Sequence, residues 1–452
     1  MRKILYILPL FILAFTLTGN PPSGWYQQFM PNLNGQSISD IIFLDSLTGF
    51  AITGDQTPND TNYILRTTNG GDNWSIIYQA YRNFLKVQFI NNTTGFVCGG
   101  FNTSSGTLLK TTDGGDSWVS LNTPGSIWYD DMSVLNEDTI WLVQRSSLDG
   151  GVYRTTNGGV NWENQFSGGS SNPEKIYMYN GSIGFIARNP FPPVNDKFYK
   201  TTNSGNNWFN INNDGFRQMQ FIDSLTGWKA TGVDDSSMKK TTDGGITWSK
   251  RQMPSGGYIQ SNVLTRFSIV NEDTIWGSGG YLHYPNNQNR GIIYRTTNGG
   301  DNWHYQVPDT SLPIIAQYEF INFTDSKHGW VYTTGPAFTT GLHTTIGGDT
   351  IWITNIKQLS NHLPDEFILY QNYPNPFNPS TNIKFIIKSS TLARLSIYDI
   401  TGKELAVLVN GKLSPGEYEY KFDGNGLSSG VYFYSLFIEG ISISTKKMML
   451  TK

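Results

Sequence analysis

The sequence predicts an all-β protein, a seven-bladed β-propeller followed by a small immunoglobulin-like β-sandwich. Three observations predict it. An octad, TTNGGDNW at residues 67–74, returns at 111–118, 155–162, 201–208, 241–248 and 296–303, and in damaged form at 344–352. A second phrase, FLDSLTGFAITG at 43–54 in its first copy, precedes every octad and occurs seven times. Composition is turn-rich and aromatic, with 48 glycines, 14% aromatic and only 15% charged residues, without the Ala/Glu/Lys/Leu excess of helical proteins. A repeat of 40 to 55 residues marks a blade-by-blade or solenoid architecture.

From the start, Met1-Arg2-Lys3 and a run at 4–17 that is apolar but for Thr16 are expected to form a secretory signal, residues 1–19. The run is too short for a spanning helix. No Cys follows it as a lipid-anchor site, and no later segment is long and apolar enough to span a bilayer. The propeller is expected over residues 21–355. Each phrase reads as strand, polar turn, aromatic-led strand. A third strand ends just before the octad, as at 63–66, 152–154 and 292–295, and the Trp after it opens a fourth. Four short antiparallel strands make a propeller blade. Trp-led strands begin at 25, 74, 118, 162, 208, 248, 303 and 352, eight for seven phrases. The extra strand at Trp25 is therefore expected to complete the last blade and join the two ends of the ring. Closure removes exposed sheet edges.

The octad has the chemistry of a tight turn. A short polar side chain bonds nearby backbone, a Gly takes positive φ, and a Trp re-enters a strand and buries its ring. The same Asn/Asp would be a poor metal ligand. Four intact copies carry neutral Asn (Asn69, Asn157, Asn203, Asn298), and one oxygen-bearing side chain per turn falls short of the six to eight oxygens Ca²⁺ takes. No metal and no cofactor are expected. The octad resembles the Asp-box of sialidase-type, sortilin-type and photosystem-assembly-factor-type β-propellers. In those families the box is a fold marker on the blade rim, so the resemblance implies the fold and hardly any activity.

The innermost strands align on the first apolar residue of each phrase. Two residues before it lie Ile41, Val87, Met132, Ile176, Met219, Phe267 and Tyr318, an expected core row. Three before it lie Asp40, Lys86, Asp131, Lys175, Gln218, Arg266 and Gln317; one before it lie Ile42, Gln88, Ser133, Tyr177, Gln220, Ser268 and Glu319. Alternation places these two rows near a central channel.

Residues 356–363 are expected as a linker and 364–452 as the sandwich. Pro374, Pro376 and Pro379 exclude a helix there. Period-two strands follow at 393–399, 404–409, 416–422, 430–437 and 441–450, with turns at Gly402, Gly411, Gly416 and Gly426. This tail resembles the C-terminal sorting domain of the type IX (Por) secretion system. The match rests on YPNPFNP at 373–379, Thr381, IYD at 397–399 with Gly402, SGVYF at 429–433, and the basic end Lys446-Lys447-Met448. It implies passage through the type IX machinery by way of residues 364–452, and a secreted or outer-membrane surface location reached via the periplasm of a Gram-negative bacterium.

Catalytic signals are weak. The net charge of −3 gives no basic field for nucleic acid or an anionic membrane. Cys98, the only cysteine, lies in a strand pattern and reads as a buried hydrophobe. Arg66, Arg154 and Arg295 recur at one place before the octad, which marks a scaffold position spread round the ring. Asp130-Asp131 and Asp234-Asp235 are pairs of adjacent acids in the propeller, and Lys86 intervenes between Asp40 and Asp131. His283, His304, His328, His343 and His362 lack ligand spacing. Aromatic stretches at 126–129 and 281–291 are candidate sugar or peptide platforms. The expectation is a monomeric, non-enzymatic, secreted or cell-surface propeller that binds a protein or glycan partner. The alternative is a secreted glycoside hydrolase of sialidase or xyloglucanase type.

Overall fold

The computed structural model describes residues 24–452 apart from 55–59, 102–104, 126–127, 145–149, 168–172, 189–196, 213, 233–236, 256–258, 284–287, 309–316, 335–339, 349–355, 361–364, 390, 414 and 425–426. The signal segment, Asp234-Asp235, Trp352 and His362 fall outside these residues. No helix among the described residues is long and apolar enough to cross a membrane.

Seven antiparallel sheets form a ring, numbered here as blades 1–7 in chain order. Blade 1 runs Ile38–Phe43, Gly49–Thr53, Asn62–Thr67, Ser75–Ala80. The first strands of the blades are Ile38–Phe43, Asn83–Phe89, Tyr129–Val134, Pro173–Met178, Gln218–Phe221, Arg266–Ile269 and Phe320–Phe323. Each contacts the next, and the seventh touches the first, so these strands line the axis. Blade 6 has a fifth strand, Ile259–Ser261, paired to Ile275–His283.

The ring closes as the sequence predicts. Tyr26–Phe29 is the fourth strand of blade 7, with Tyr26 opposite His343 and Phe29 opposite Thr340. Trp25 is fully buried beside it, edge-on to Trp276 and Phe323, and its Nε1–H donates to Gln306 Oε1 at 2.8 Å.

Each intact octad is a self-bonded turn. In the first, Thr67 Oγ1 donates to Asn69 Oδ1 (2.9 Å) and accepts the Gly71 N–H (2.9 Å), while Asn69 Oδ1 accepts the Asn73 N–H (3.0 Å). The other five intact copies repeat the pattern, for example Thr241, Asp243, Gly245 and Thr247. Gly70 and Gly71 sit at φ 70° and 91°, a region closed to most side chains. The damaged copy keeps only the threonine half, Gly348 N–H to Thr344 Oγ1 at 2.7 Å, because Ile346 has no oxygen to offer. Each turn is also tied to the first turn of its own blade, as in Gly70 N–H to Leu47 O (2.8 Å) and Gly347 N–H to Lys327 O (2.8 Å).

The residue ahead of each octad is a scaffold residue. Lys110, Arg154, Lys200, Lys240 and Arg295 stand opposite Phe96, Trp141, Phe185, Trp228 and Trp276 across the ladder, with each cation over its ring. Several reach onward to the next blade: Arg66 to Gly114 O (2.8 Å) and Asp116 (2.6 Å), Lys200 to Gly244 O (2.7 Å). In blade 7 the place is taken by His343, stacked on Trp330 at 4.5 Å, and Trp330 Nε1–H itself reaches Gly70 O at 2.7 Å.

The C-terminal region packs two four-stranded sheets. One is ordered Ile356–Ser360, Gly416–Asp423, Ser380–Ile387, Ile368–Leu369; the other Glu404–Leu413, Thr391–Tyr398, Gly430–Ile438, Ile441–Leu450. Their core holds Ile383, Phe385, Leu395, Ile397, Tyr434 and Leu436, all fully buried. Two features differ from the sequence reading. Ser380–Ile387 is a strand with strict buried alternation. Within the stretch expected as linker, Ile356–Ser360 pairs with Gly416–Asp423.

Candidate functional site

The axial channel collects the charged side chains of the first strands. It holds two lobes of about 260 and 370 Å³, which share Lys86, Gln218, Gln220 and Arg266. Asp40 lines the smaller lobe, and Asp131 and Lys175 the larger.

Most channel-row side chains do work that the sequence left unseen. They clamp the backbone of the next blade. Asp40 Oδ2 accepts the Val87 N–H (3.2 Å) and Gln88 Oε1 the Val134 N–H (3.0 Å). Asp131 Oδ2 accepts the Ile176 N–H (3.1 Å) and Ser133 Oγ the Met178 N–H (3.0 Å). Tyr177 OH accepts from Phe221 N–H (3.0 Å), Gln218 Oε1 from Phe267 N–H (2.8 Å), and Ser268 Oγ from Phe323 N–H (2.9 Å). Asn322 Oδ1 accepts the Phe43 N–H at 2.8 Å, which returns the series to blade 1. All seven blade junctions carry such a bond. Gln88 and Gln218 each also donate to the carbonyl of the residue they hold, at 2.9 and 2.7 Å.

Asn322 corrects the expected alignment in blade 7. Phe323 pairs with Gly329 as Phe43 pairs with Gly49. Asp325 Oδ1 accepts the Lys327 and His328 N–H groups as Asp45 Oδ1 accepts those of Leu47 and Thr48. This turn fixes the frame three residues later than the first apolar residue suggests. The blade 7 members of the two rows are thus Phe320 and Asn322, not Gln317 and Glu319.

The carboxylates are committed. Lys86 Nζ lies 2.8 Å from Asp40 Oδ2, and Lys175 Nζ 4.0 Å from Asp131 Oδ2. Burial opposes ionisation of Asp40, but Lys86, Arg266 and the Val87 N–H outweigh it and hold the carboxyl below the usual range. Glu319 is the opposite case. Burial pushes its carboxyl up, and the opposing pull of Arg266 and Arg217 is too small to reverse that.

Other expected candidates are placed elsewhere. Cys98 is fully buried with its thiol pushed up by burial, aided by Asp131. Tyr129, expected in an aromatic platform, is fully buried and donates its hydroxyl to Pro124 O, so it offers no face to a ligand. The 281–291 insertion extends a hairpin, Ile275–His283 against Asn289–Thr296. The sequence reading also missed Lys229, which stands where other blades carry Ala51, Val97, Leu142 or Ile186. It is fully buried, 3.1 Å from Asp214 Oδ2, with its ammonium over Phe198 and Trp248 at 4.2 and 4.9 Å. Lys239 joins the same carboxylate at 2.7 Å. That cluster ties blade 4 to blade 5.

Comparison with known proteins completes the picture. Residues 371–451 match the secretion system C-terminal sorting domain family. The tail is an export domain. Residues 22–213 match the family described as photosynthesis system II assembly factor YCF48. Among solved structures, "YCF48 bound to D1 peptide" is 17% identical with a TM-score of 0.51, covering 71% of this chain and 97% of that one. A GH74 enzyme of Niastella koreensis is 15% identical with a TM-score of 0.32, covering 79% of this chain and 53% of that one. A GH74 xyloglucanase of Xanthomonas campestris is 11% identical with a TM-score of 0.34, covering 88% and 74%. No curated protein matches the sequence. The ring is thus a β-propeller with YCF48-like repeats, and the sorting domain behind it marks the protein for secretion.

Proposed function

We propose that this is a non-catalytic propeller, exported through the type IX machinery by its sorting domain, that binds a protein or glycan partner at the axial channel. One observation carries the reading. The two acids that a channel hydrolase would need, Asp40 and Asp131, each hold a neighbouring backbone N–H and face a lysine, and they line different lobes. Paired glycosidase carboxylates must share one cleft. The test is a screen of the purified protein against polysaccharides and surface proteins, reading both binding and reducing-sugar release. Binding without release is expected, and release of sugar would overturn the reading.

A hydrolase is the second reading, favoured by Glu319. Burial raises its carboxyl, the direction in which a general acid is tuned. If sugar release is seen, Glu319→Gln should abolish it.

A further inference from the structure

We propose that Asn34 is a self-modification site, converted by its own backbone to aspartate and isoaspartate, and that the octad asparagines, though equally exposed, are shielded from the same reaction.

An Asn-Gly pair can react with itself. The glycine nitrogen attacks the asparagine Cγ, the Cγ–Nδ2 bond breaks, and ammonia leaves with the glycine's amide proton. Water then opens the five-membered imide. Opening at Cγ gives aspartate; opening at the backbone carbonyl gives isoaspartate, whose main chain runs through the side chain. Nothing is oxidised or reduced. Glycine favours the attack because it has no side chain to crowd the nitrogen. The pair occurs seven times here, at Asn34, 69, 157, 180, 298, 410 and 425, as suits a chain rich in tight turns.

Exposure does not separate the turn at Asn34 from the octads, since Asn34, Asn69, Asn157 and Asn298 are all exposed. Hydrogen bonding does. In the octads both reacting groups are held. The N–H groups of Gly70, Gly158 and Gly299 donate to carbonyls of the first turn of their blade at 2.8, 3.0 and 2.9 Å. Asn69 Oδ1 accepts from Thr67 Oγ1 (2.9 Å) and from the Asn73 N–H (3.0 Å), and Asn157 and Asn298 repeat this pair of bonds. At Asn34 neither group is held. The Gly35 N–H and Asn34 Oδ1 make no hydrogen bond among the described residues. A Cβ placed on Gly35 would meet nothing within 4 Å. The Asn34 side chain has one bond, from Nδ2 to Tyr63 OH at 2.7 Å.

The position matters to the ring. Asn34 and Gly35, at φ 53° and 85°, turn the chain between the closing strand Tyr26–Phe29 and blade 1. The turn is closed by Gln36 N–H to Leu33 O at 3.0 Å, and both of those residues are buried. Isoaspartate adds one backbone atom between these two anchors, beside the seam.

The test is peptide mapping of the full chain by mass spectrometry during storage in mildly alkaline buffer, folded and in urea. In the folded chain Asn34 should convert. Asn69, Asn157 and Asn298 should convert at least about tenfold more slowly, as expected if their turns must first open at a cost of about 1.4 kcal/mol or more. In urea all four should convert at similar rates. Gly35→Asn places there a residue that tolerates positive φ, and it should slow conversion at Asn34. Thr67→Val removes one of the two bonds on Asn69 Oδ1. It should speed conversion at Asn69, while Asn157 and Asn298 in the same molecule stay slow. Octad asparagines that convert as fast as Asn34 in the folded chain would sink the proposal. So would an Asn34 that converts only in urea, or one that outpaces the octads by the same margin in urea. Indifference to either substitution would also overturn it.

Discussion

At the residue scale, the side chains that matter most are small polar groups spent on the neighbouring blade. Gln218 satisfies both the N–H and the C=O of Phe267. Gln218→Ala should therefore cost about 1–3 kcal/mol, because two backbone groups lose their partner, and denaturant unfolding would measure it. Loss below a few tenths of a kcal/mol would mean water replaces the clamp. His343 makes a pH prediction. Burial, with a smaller repulsion from His328, pushes its imidazole down to about 3, against about 6.5 in an unfolded chain. The folded state then binds fewer protons, so this stability is intact above about pH 6.5. It falls as pH drops through 6.5 toward 3, by up to about 1.4 kcal/mol per pH unit. His343→Gln should flatten that slope in unfolding curves compared at pH 7 and 4.5. The sequence disclosed that the octad asparagines are turn formers, since Asn and Asp interchange there. It could not disclose the clamps, because a polar residue facing a channel and one reaching across to the next strand have the same periodicity.

At the element scale, the strand Tyr26–Phe29 is the piece on which closure depends. Trp25→Ala removes a fully buried ring packed on Trp276 and Phe323. It should cost about 3–5 kcal/mol, with blade 7 the first region cut in limited proteolysis. Cleavage beginning in blades 2–5 instead would mean the seam is not the weak point. This strand was legible because a Trp-led strand stood without the three before it. The frame of blade 7 was not, because Phe320 and Phe323 are both apolar and only the Asp325 turn tells them apart. In the tail, the YPNPFNP segment and the basic end were legible as motifs, but not that they meet. Asn375 accepts the Met449 N–H (2.9 Å), Phe377 N–H donates to Met449 O (2.9 Å), and Thr451 N–H donates to Phe377 O (3.0 Å). The proline-rich segment thus covers part of the outer edge of the last strand, where an unpaired ladder would invite aggregation.

At the scale of the whole molecule, ring and tail have separate cores. Since Ile356–Ser360 already belongs to the tail sheet, a chain ending before residue 356 should keep the propeller. Its thermal transition should match that of the full chain within about 4 °C, the shift expected for no more than about 1 kcal/mol. A larger fall would show that the tail supports the ring. The seven-fold repeat made this scale the most legible of the three, since each copy confirmed the others.

The seam has a consequence for synthesis. Its two halves, Tyr26–Phe29 and Thr340–Thr344, are among the first and last parts of the propeller to be made. Contacts so distant along the chain form late. Until the ribosome has delivered the seventh blade, the first strand waits without a mate. The export tail is translated after that, so the address is written only on chains whose ring can already shut.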